Sequence, residues 1–262
     1  MILVFHGGGG TGAGFKRYGG FDAVADRDGV LVAYADGSGP LGRRLLTWNA
    51  GECCGYAEAE NVDDVGFALA VLGDVARRAP VDVTRVYATG HSNGAMMTYR
   101  LATEAPGRLA AIAPVAGMGV VDPPARPLPL LHVHSVDDPR ALYHGGLGRP
   151  FPFTSAPVRH GAVEPTLTRW ARRNGCAAEP AAVDRRSTAS APDHGAELLA
   201  WAPCTTGAEV HLWRITGAGH GWPGRRGPVP AWWMGPYTDV IDAAEEAWRF
   251  LRRFRRADAP PL

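Results

Sequence analysis

The stretch Gly90-His91-Ser92-Asn93-Gly94 constrains this chain more than any other, because it joins a β-branched run at 83–89 to an apolar helical pattern at 95–102. A serine on so sharp a strand-to-helix turn must adopt strained backbone angles. Glycine two places before it and two places after removes the side chains that would collide there. The hydroxyl then stands free at a helix N-terminus, where the dipole and unsatisfied N–H groups favour negative charge. A chain built around such an elbow is expected to repeat strand, helix, strand into a mostly parallel twisted sheet with helices on both faces. Runs that read as strands at 29–35 and 109–116, and as a helix with an acidic first turn at 62–78, fit that order.

Charge developing at the serine needs two amides, and the loop after an earlier strand is the usual source of the second. Met1-Ile2-Leu3-Val4-Phe5 is an apolar run typical of a buried parallel strand, and it ends in His6-Gly7-Gly8-Gly9-Gly10-Thr11-Gly12. Glycines let the backbone approach a bound group closely, so the amides of Gly8 and Asn93 are the expected oxyanion-hole donors; spacing leaves open which glycine donates. A phosphate-binding loop fits less well, because no Lys-Ser/Thr pair follows and the spacing is not a dinucleotide fingerprint.

The partners of an elbow serine follow as acid and then histidine, each just past a strand. Residues 129–134 read as a core strand running into Ser135-Val136-Asp137-Asp138-Pro139, a turn that sets a carboxylate at the strand's end. Asp138 is the expected acid and Asp137 its rival, since neighbouring side chains on extended backbone point opposite ways. Residues 209–215 alternate as a further strand and break at Thr216-Gly217-Ala218-Gly219-His220-Gly221-Trp222-Pro223. His220 is therefore the expected general base, on a glycine-bracketed loop. Of the nine histidines, His6 and His91 read as structural neighbours of the two turns. His132 and His134 share one strand face, which suits a metal pair, but no third ligand stands at metal spacing and no metal is expected. His144, His160, His194 and His211 read as satisfied or exposed.

The ordered set His6-Gly7-Gly8, Trp48-Asn49-Ala50-Gly51 with Cys53-Cys54-Gly55, Val62-Asp63-Asp64-Val65-Gly66-Phe67, residues 85–94, Asp138-Pro139 and Gly219-His220-Gly221-Trp222-Pro223-Gly224 resembles a secreted esterase family. That family contains poly(3-hydroxybutyrate) depolymerases and feruloyl and acetyl-xylan esterases. The resemblance runs from His6 to about Phe254 and implies an α/β-hydrolase fold that cleaves carboxylic esters through an acyl-enzyme. Ser92 would be the nucleophile, Asp138 the acid and His220 the base, with no metal or organic cofactor. Ser135 departs from the glycine usual after the strand histidine, and Asp137-Asp138 doubles the acid, so both carboxylates stay open. Cys176 and Cys204 flank an irregular tract rich in alanine, proline and serine, and the resemblance supports their pairing as a loop-closing disulfide. It also implies an extracellular protein. Cys53 and Cys54 suit either a vicinal disulfide or two small buried side chains.

With 262 residues, 46% hydrophobic and 20% charged, the chain can bury a large core and reads as one catalytic domain over 1–262. A net charge of +1 argues against nucleic acid or an anionic membrane as the main partner; the basic cluster at 249–256 reads as the end of a last helix that begins near Tyr237. No apolar run approaches the ~18 residues of a membrane span. Met1 opens directly in the strand leading to the glycine loop, without a charged and apolar leader. A sheet lacking one or more N-terminal edge strands is expected, and an exposed edge leaves the oligomeric state open.

The tracts 137–163 and 177–203 read as long irregular segments that build pockets above the sheet. Trp48, Tyr143 and Trp222 are expected to contact substrate; Trp232 and Trp233 read as loop packing or a polymer-facing patch. The expected substrate is an ester, polymeric ones included: a hydroxybutyrate polymer or oligomer, or a feruloylated or acetylated polysaccharide. A peptidase or acyltransferase on the same three residues is the nearest alternative, and a non-catalytic polymer-binding module on the same scaffold is the alternative of another kind.

Overall fold

The computed structural model describes residues 1–150 and 157–257. Its strands are β1 (Ile2–Phe5), β2 (Val32–Ala35), β3 (Tyr87–His91), β4 (Ala111–Val115), β5 (Leu130–Ser135), β6 (Gly146–Pro150), β7 (Pro157–His160), β8 (Ala181–Thr188), β9 (Ala191–Trp201) and β10 (Val210–Thr216). Its helices are α1 (Gly12–Gly19), α2 (Phe21–Asp28), α3 (Gly55–Ala59), α4 (Asp64–Arg78), α5 (Asn93–Glu104), α6 (Val163–Arg173), α7 (Ala231–Met234) and α8 (Ala243–Leu251). One sheet takes the order β2-β1-β3-β4-β5-β10-β9-β8, and β6 pairs with β7 in a separate ribbon. From β2 to β10 every neighbouring pair is parallel, while β9 and β8 add an antiparallel flank.

The alternation within each central strand explains the layers. Ile2 and Val4 of β1 join the core with Phe15, Phe21 and Trp248, whereas Leu3 and Phe5 join the opposite core with Leu72, Met97 and Trp170. Because α1, α2 and α8 cover one face and α4, α5 and α6 the other, both sets must be apolar, and β1 is buried along its whole length. Parallel strands place their carboxyl ends on one side of the sheet. The glycine loop after β1, the elbow after β3, the Asp137-Asp138 turn after β5 and the His220 loop after β10 all emerge there.

Local chemistry shifts several expected boundaries. Asp63 accepts the Gly66 amide at 2.8 Å and starts α4 at Asp64. The strand read over 29–35 shrinks to β2 because Gly29, at φ 64°, ends α2 and donates its amide to the Ala25 carbonyl. The strand read over 109–116 is the shorter β4. The last helix begins at Ala243, where Asp242 caps the Ala244 and Glu245 amides, and not near Tyr237. The larger correction is the tract 177–203, which is not irregular: it forms the β8–β9 hairpin. Its outer strand is largely exposed, so its apolar pattern is faint, and cross-strand pairs such as Arg185 with Glu197 at 2.7 Å support it instead. The tract 137–163 carries β6 and β7, with 151–156 outside the described residues. Cys176 and Cys204 are joined by a disulfide with an S–S distance of 2.07 Å. The sulfurs of Cys53 and Cys54 are also paired, across a cis peptide bond.

Candidate active site

β3 ends at His91 and α5 begins at Asn93, so Ser92 makes the whole turn, at φ 57° and ψ −120°. Such a conformation costs a non-glycine residue roughly 1–3 kcal/mol and persists only where the surroundings allow no other. They allow none here. A Cβ on Gly90 would strike the Gly94 and Phe5 carbonyls, one on Gly94 the Phe5 and His6 carbonyls, and one on Gly117 the Ser92 carbonyl. The Ser92 amide donates to the Val115 carbonyl of β4 at 2.9 Å. The Asn93 side chain closes the clamp: its Oδ1 accepts the Trp48 amide at 2.7 Å and its Nδ2 donates to the Trp48 carbonyl at 2.9 Å.

Three side chains from three loops meet at this turn. His220 Nε2 lies 2.7 Å from Ser92 Oγ, and His220 Nδ1 lies 2.7 Å from Asp138 Oδ2. With Nδ1–H donating to the carboxylate, Nε2 is left to accept the serine hydroxyl. The other Asp138 oxygen accepts the Arg140 and Ala141 amides at 2.7 and 2.8 Å. Burial works to raise the Asp138 carboxyl, but the charge and hydrogen bonds of His220 and His134 outweigh it and hold it well below the usual carboxylate range. Asp137 turns away and accepts the Gly217 amide at 2.7 Å.

Three further buried histidines, His91, His132 and His134, brace this line. His91 Nε2 donates to the His220 carbonyl at 2.8 Å, and burial pushes the ring down to about 3, so it stays neutral. His134 Nε2–H donates to the Ala141 carbonyl at 2.9 Å. That makes His134 Nδ1 an acceptor for His132 Nε2–H at 2.9 Å, and His132 Nδ1 in turn accepts the Tyr99 hydroxyl at 3.1 Å. The two strand histidines thus engage each other and the turn that carries Asp138.

A cavity of about 580 Å³ opens above Ser92 and His220, with the glycine loop on one side and Cys53, Cys54, Met96 and Trp233 among its walls. Gly8 and Asn93 both line it, and their backbone N–H groups have no acceptor among the described residues. Of the three aromatic residues expected to touch substrate, Trp222 alone lines the cavity, packed edge-on against Phe15 and His91. Trp48 and Tyr143 do not reach it, and that expectation is corrected. Trp48 lies buried behind the elbow, its indole N–H donating to the His6 carbonyl at 3.0 Å, because its backbone is needed to hold Asn93. Tyr143 is buried against His134 and donates its hydroxyl to Glu164 at 2.7 Å. Trp233 lines the mouth, while Trp232 is 82% exposed. Sequence reasoning missed Arg140, Arg149 and His160 in the wall. Only Arg140, two residues past Asp138, stood close enough to a motif to be noticed.

A parallel sheet carrying a strained serine elbow at the carboxyl ends of its strands defines the α/β-hydrolase class. Within that class, the chain belongs to the esterase family. It is 31% identical over 278 aligned positions to the putative esterase NocK of Nocardia uniformis subsp. tsuyamanensis, covering 96% of this chain and 73% of that protein. It is 32% identical over 205 positions to feruloyl esterase B of Piromyces equi, covering 75% of this chain but 35% of the other. The chain therefore spans about a third of the length of that feruloyl esterase. Among solved structures, an acetyl xylan esterase from Aspergillus awamori superimposes with a TM-score of 0.51 at 15% identity, over 96% of this chain and 88% of that one, a likeness of fold. No family model matches the chain.

Proposed function

We propose that residues 1–262 form one catalytic domain of a serine carboxylic ester hydrolase acting on hydroxybutyrate esters or on feruloyl or acetyl esters of plant polysaccharides. The observation that carries this reading is the unbroken line Asp138, His220, Ser92, with both links at 2.7 Å, ending in a cavity beside two unengaged amides. Ser92 Oγ attacks the ester carbonyl as His220 Nε2 takes its proton, and Asp138 stabilises the imidazolium. The amides of Gly8 and Asn93 hold the oxyanion, a contribution of about 10²–10³-fold in rate per donor in comparable sites. His220 returns the proton to the leaving alcohol, and a water then releases the acid by the same route in reverse. The feruloyl and acetylxylan esterase names of the relatives support the substrate class.

The Cys176–Cys204 disulfide supports action in an oxidising, extracellular compartment. Among the described residues no helix is long and apolar enough to cross a membrane.

The test is steady-state hydrolysis of a short 4-nitrophenyl ester, methyl ferulate, acetylated xylan and a 3-hydroxybutyrate oligomer by the chain and by Ser92→Ala. Serine-dependent turnover is expected, and the preferred ester names the substrate. Full activity in Ser92→Ala would refute the mechanism, and folded protein inert toward all four would favour a binding module.

A further inference from the structure

The cavity wall has an electrostatic character that ester hydrolysis does not require. Four arginines line it, Arg140, Arg149, Arg225 and Arg226, and no aspartate or glutamate does, among the described residues. In a chain whose net charge is only +1, that is a local concentration of positive charge. Arg225 is neutralised by Asp242 at 2.9 Å. The other three have no carboxylate partner among the described residues. Arg140 lies over the Trp233 ring, its guanidinium carbon 4.5 Å from the centroid, and Arg226 lies over Tyr237 at 5.1 Å. A guanidinium held over a ring face can still present N–H groups to an acceptor. Burial and then the neighbouring charge of Arg149 lower Arg140, with the charge of Asp138 acting against them, so the two cations sit near each other.

His160 is the second observation. It is 6% exposed, it lines the same cavity, and neither ring nitrogen has a hydrogen-bond partner among the described residues. A buried polar group left unpaired is costly, and natural proteins seldom tolerate one without a use for it. Burial drives this imidazole down to about 4, so it is neutral at physiological pH and offers one N–H donor and one acceptor. It belongs to the triad's end of the cavity, since His220, His134 and Asp138 all act on it electrostatically, and Arg140 does too. Arg140, Arg149 and His160 therefore gather on one wall, with guanidinium and imidazole donors and no acidic residue to occupy them.

We propose that this wall binds a carboxylate carried by the ester substrate, with Arg140 and Arg149 taking the charge and His160 donating to it. The proposal rests on the hydrolase reading and narrows it: the preferred substrate is an ester with a free carboxylate elsewhere in the molecule, as at the acid end of a hydroxy-acid oligomer or on an acidic sugar. Charge-assisted hydrogen bonds are about twice as strong as neutral ones, and an arginine edge matches the two oxygens of a carboxylate. Such contacts raise kcat/KM for the charged ester by roughly 10–100-fold over a neutral counterpart of the same size.

Two matched pairs test this. The mono-4-nitrophenyl ester of glutaric acid against 4-nitrophenyl valerate places the charge on the acyl side; 4-acetoxybenzoate against 4-acetoxybenzamide places it on the alcohol side. The readout is the ratio of kcat/KM within each pair, so loss of general activity in a variant does not disturb it. In at least one pair the carboxylate ester is expected to lead by about tenfold or more. That lead should shrink toward one in Arg140→Gln with Arg149→Gln, and fall in part in His160→Phe. Raising salt on the unaltered protein gives the same answer without mutation, because a solvent-connected charge contact is screened. Ratios near one in both pairs, with serine-dependent turnover of the neutral esters intact, would overturn the proposal and leave the hydrolase reading standing. A preference that survives both the arginine changes and salt would overturn it too. Failure of every ester to be turned over would overturn both readings.

Discussion

Acid should unfold this protein well before its carboxylates protonate. Burial lowers His6, His91, His132, His160 and His211 below the ordinary imidazole value of 6.5. A base whose folded pKa is depressed stays neutral in the fold while the unfolded chain takes up a proton. Unfolding then absorbs protons, and stability is lost as pH falls from about 6.5 toward the folded value. For His91, held at about 3, and His160, held at about 4, the loss between pH 7 and 4.5 is ~2 kcal/mol each. Those two alone reach a large fraction of the ~5–15 kcal/mol that holds a typical domain together. Asp138, held low, gives stability that is lost only as pH falls below its unfolded value near 3.8, under this window; Asp64, raised by burial, acts in the opposite sense to the histidines and trims the loss. The assay is thermal unfolding at steps from about pH 7.5 to 4.5, paired with calorimetry in two buffers of different ionisation enthalpy. More than one proton should be taken up per molecule unfolded at about pH 5, and His160→Phe should reduce that uptake. A melting temperature flat from pH 7 to 5, with no proton uptake, would refute the picture of neutral buried imidazoles.

Two further outcomes follow from the geometry. Asp138→Asn should lower kcat by about 10⁴-fold, the scale on which a triad histidine loses its orienting charge, while Asp137→Asn should stay within about threefold; steady-state kinetics giving the reverse order would make Asp137 the acid. Replacing Cys176 and Cys204 together by serine opens a link between residues 28 apart and should cost about 3.5 kcal/mol of stability on the loop-entropy model. Urea unfolding with an unchanged midpoint would show that the link does not restrain the unfolded chain.

Much of this architecture was legible because its signals are local. An apolar strand buried on both faces, a glycine pair around a serine and a glycine-bracketed histidine each announce themselves within a few residues, and Ser92, Asp138 and His220 lie after β3, β5 and β10 as their order suggested. The β8–β9 hairpin was not legible, since a flank exposed to water has no strong apolar rhythm and depends on cross-strand pairing. Trp48 and Tyr143 were misplaced for a related reason. An aromatic residue beside a motif can face the cavity or lie behind it, and here backbone and side-chain hydrogen bonds to Asn93, His6 and Glu164 decide for the interior. The arginine wall depends on the turn at Arg140 meeting the β6–β7 ribbon that carries Arg149 and His160, a proximity that no spacing rule encodes.

The loops that meet at Ser92 belong to strands far apart in the chain: His220 lies 128 residues from Ser92 and 82 from Asp138. No contiguous fragment shorter than about half of the chain can hold the three together, and parallel neighbours cannot pair until the crossovers between them have formed. Folding is accordingly expected to be slow for the protein's size, since distant contacts must close before they stabilise one another. Regain of ester turnover after dilution from denaturant would then report the last step of sheet assembly, later than the recovery of helical signal.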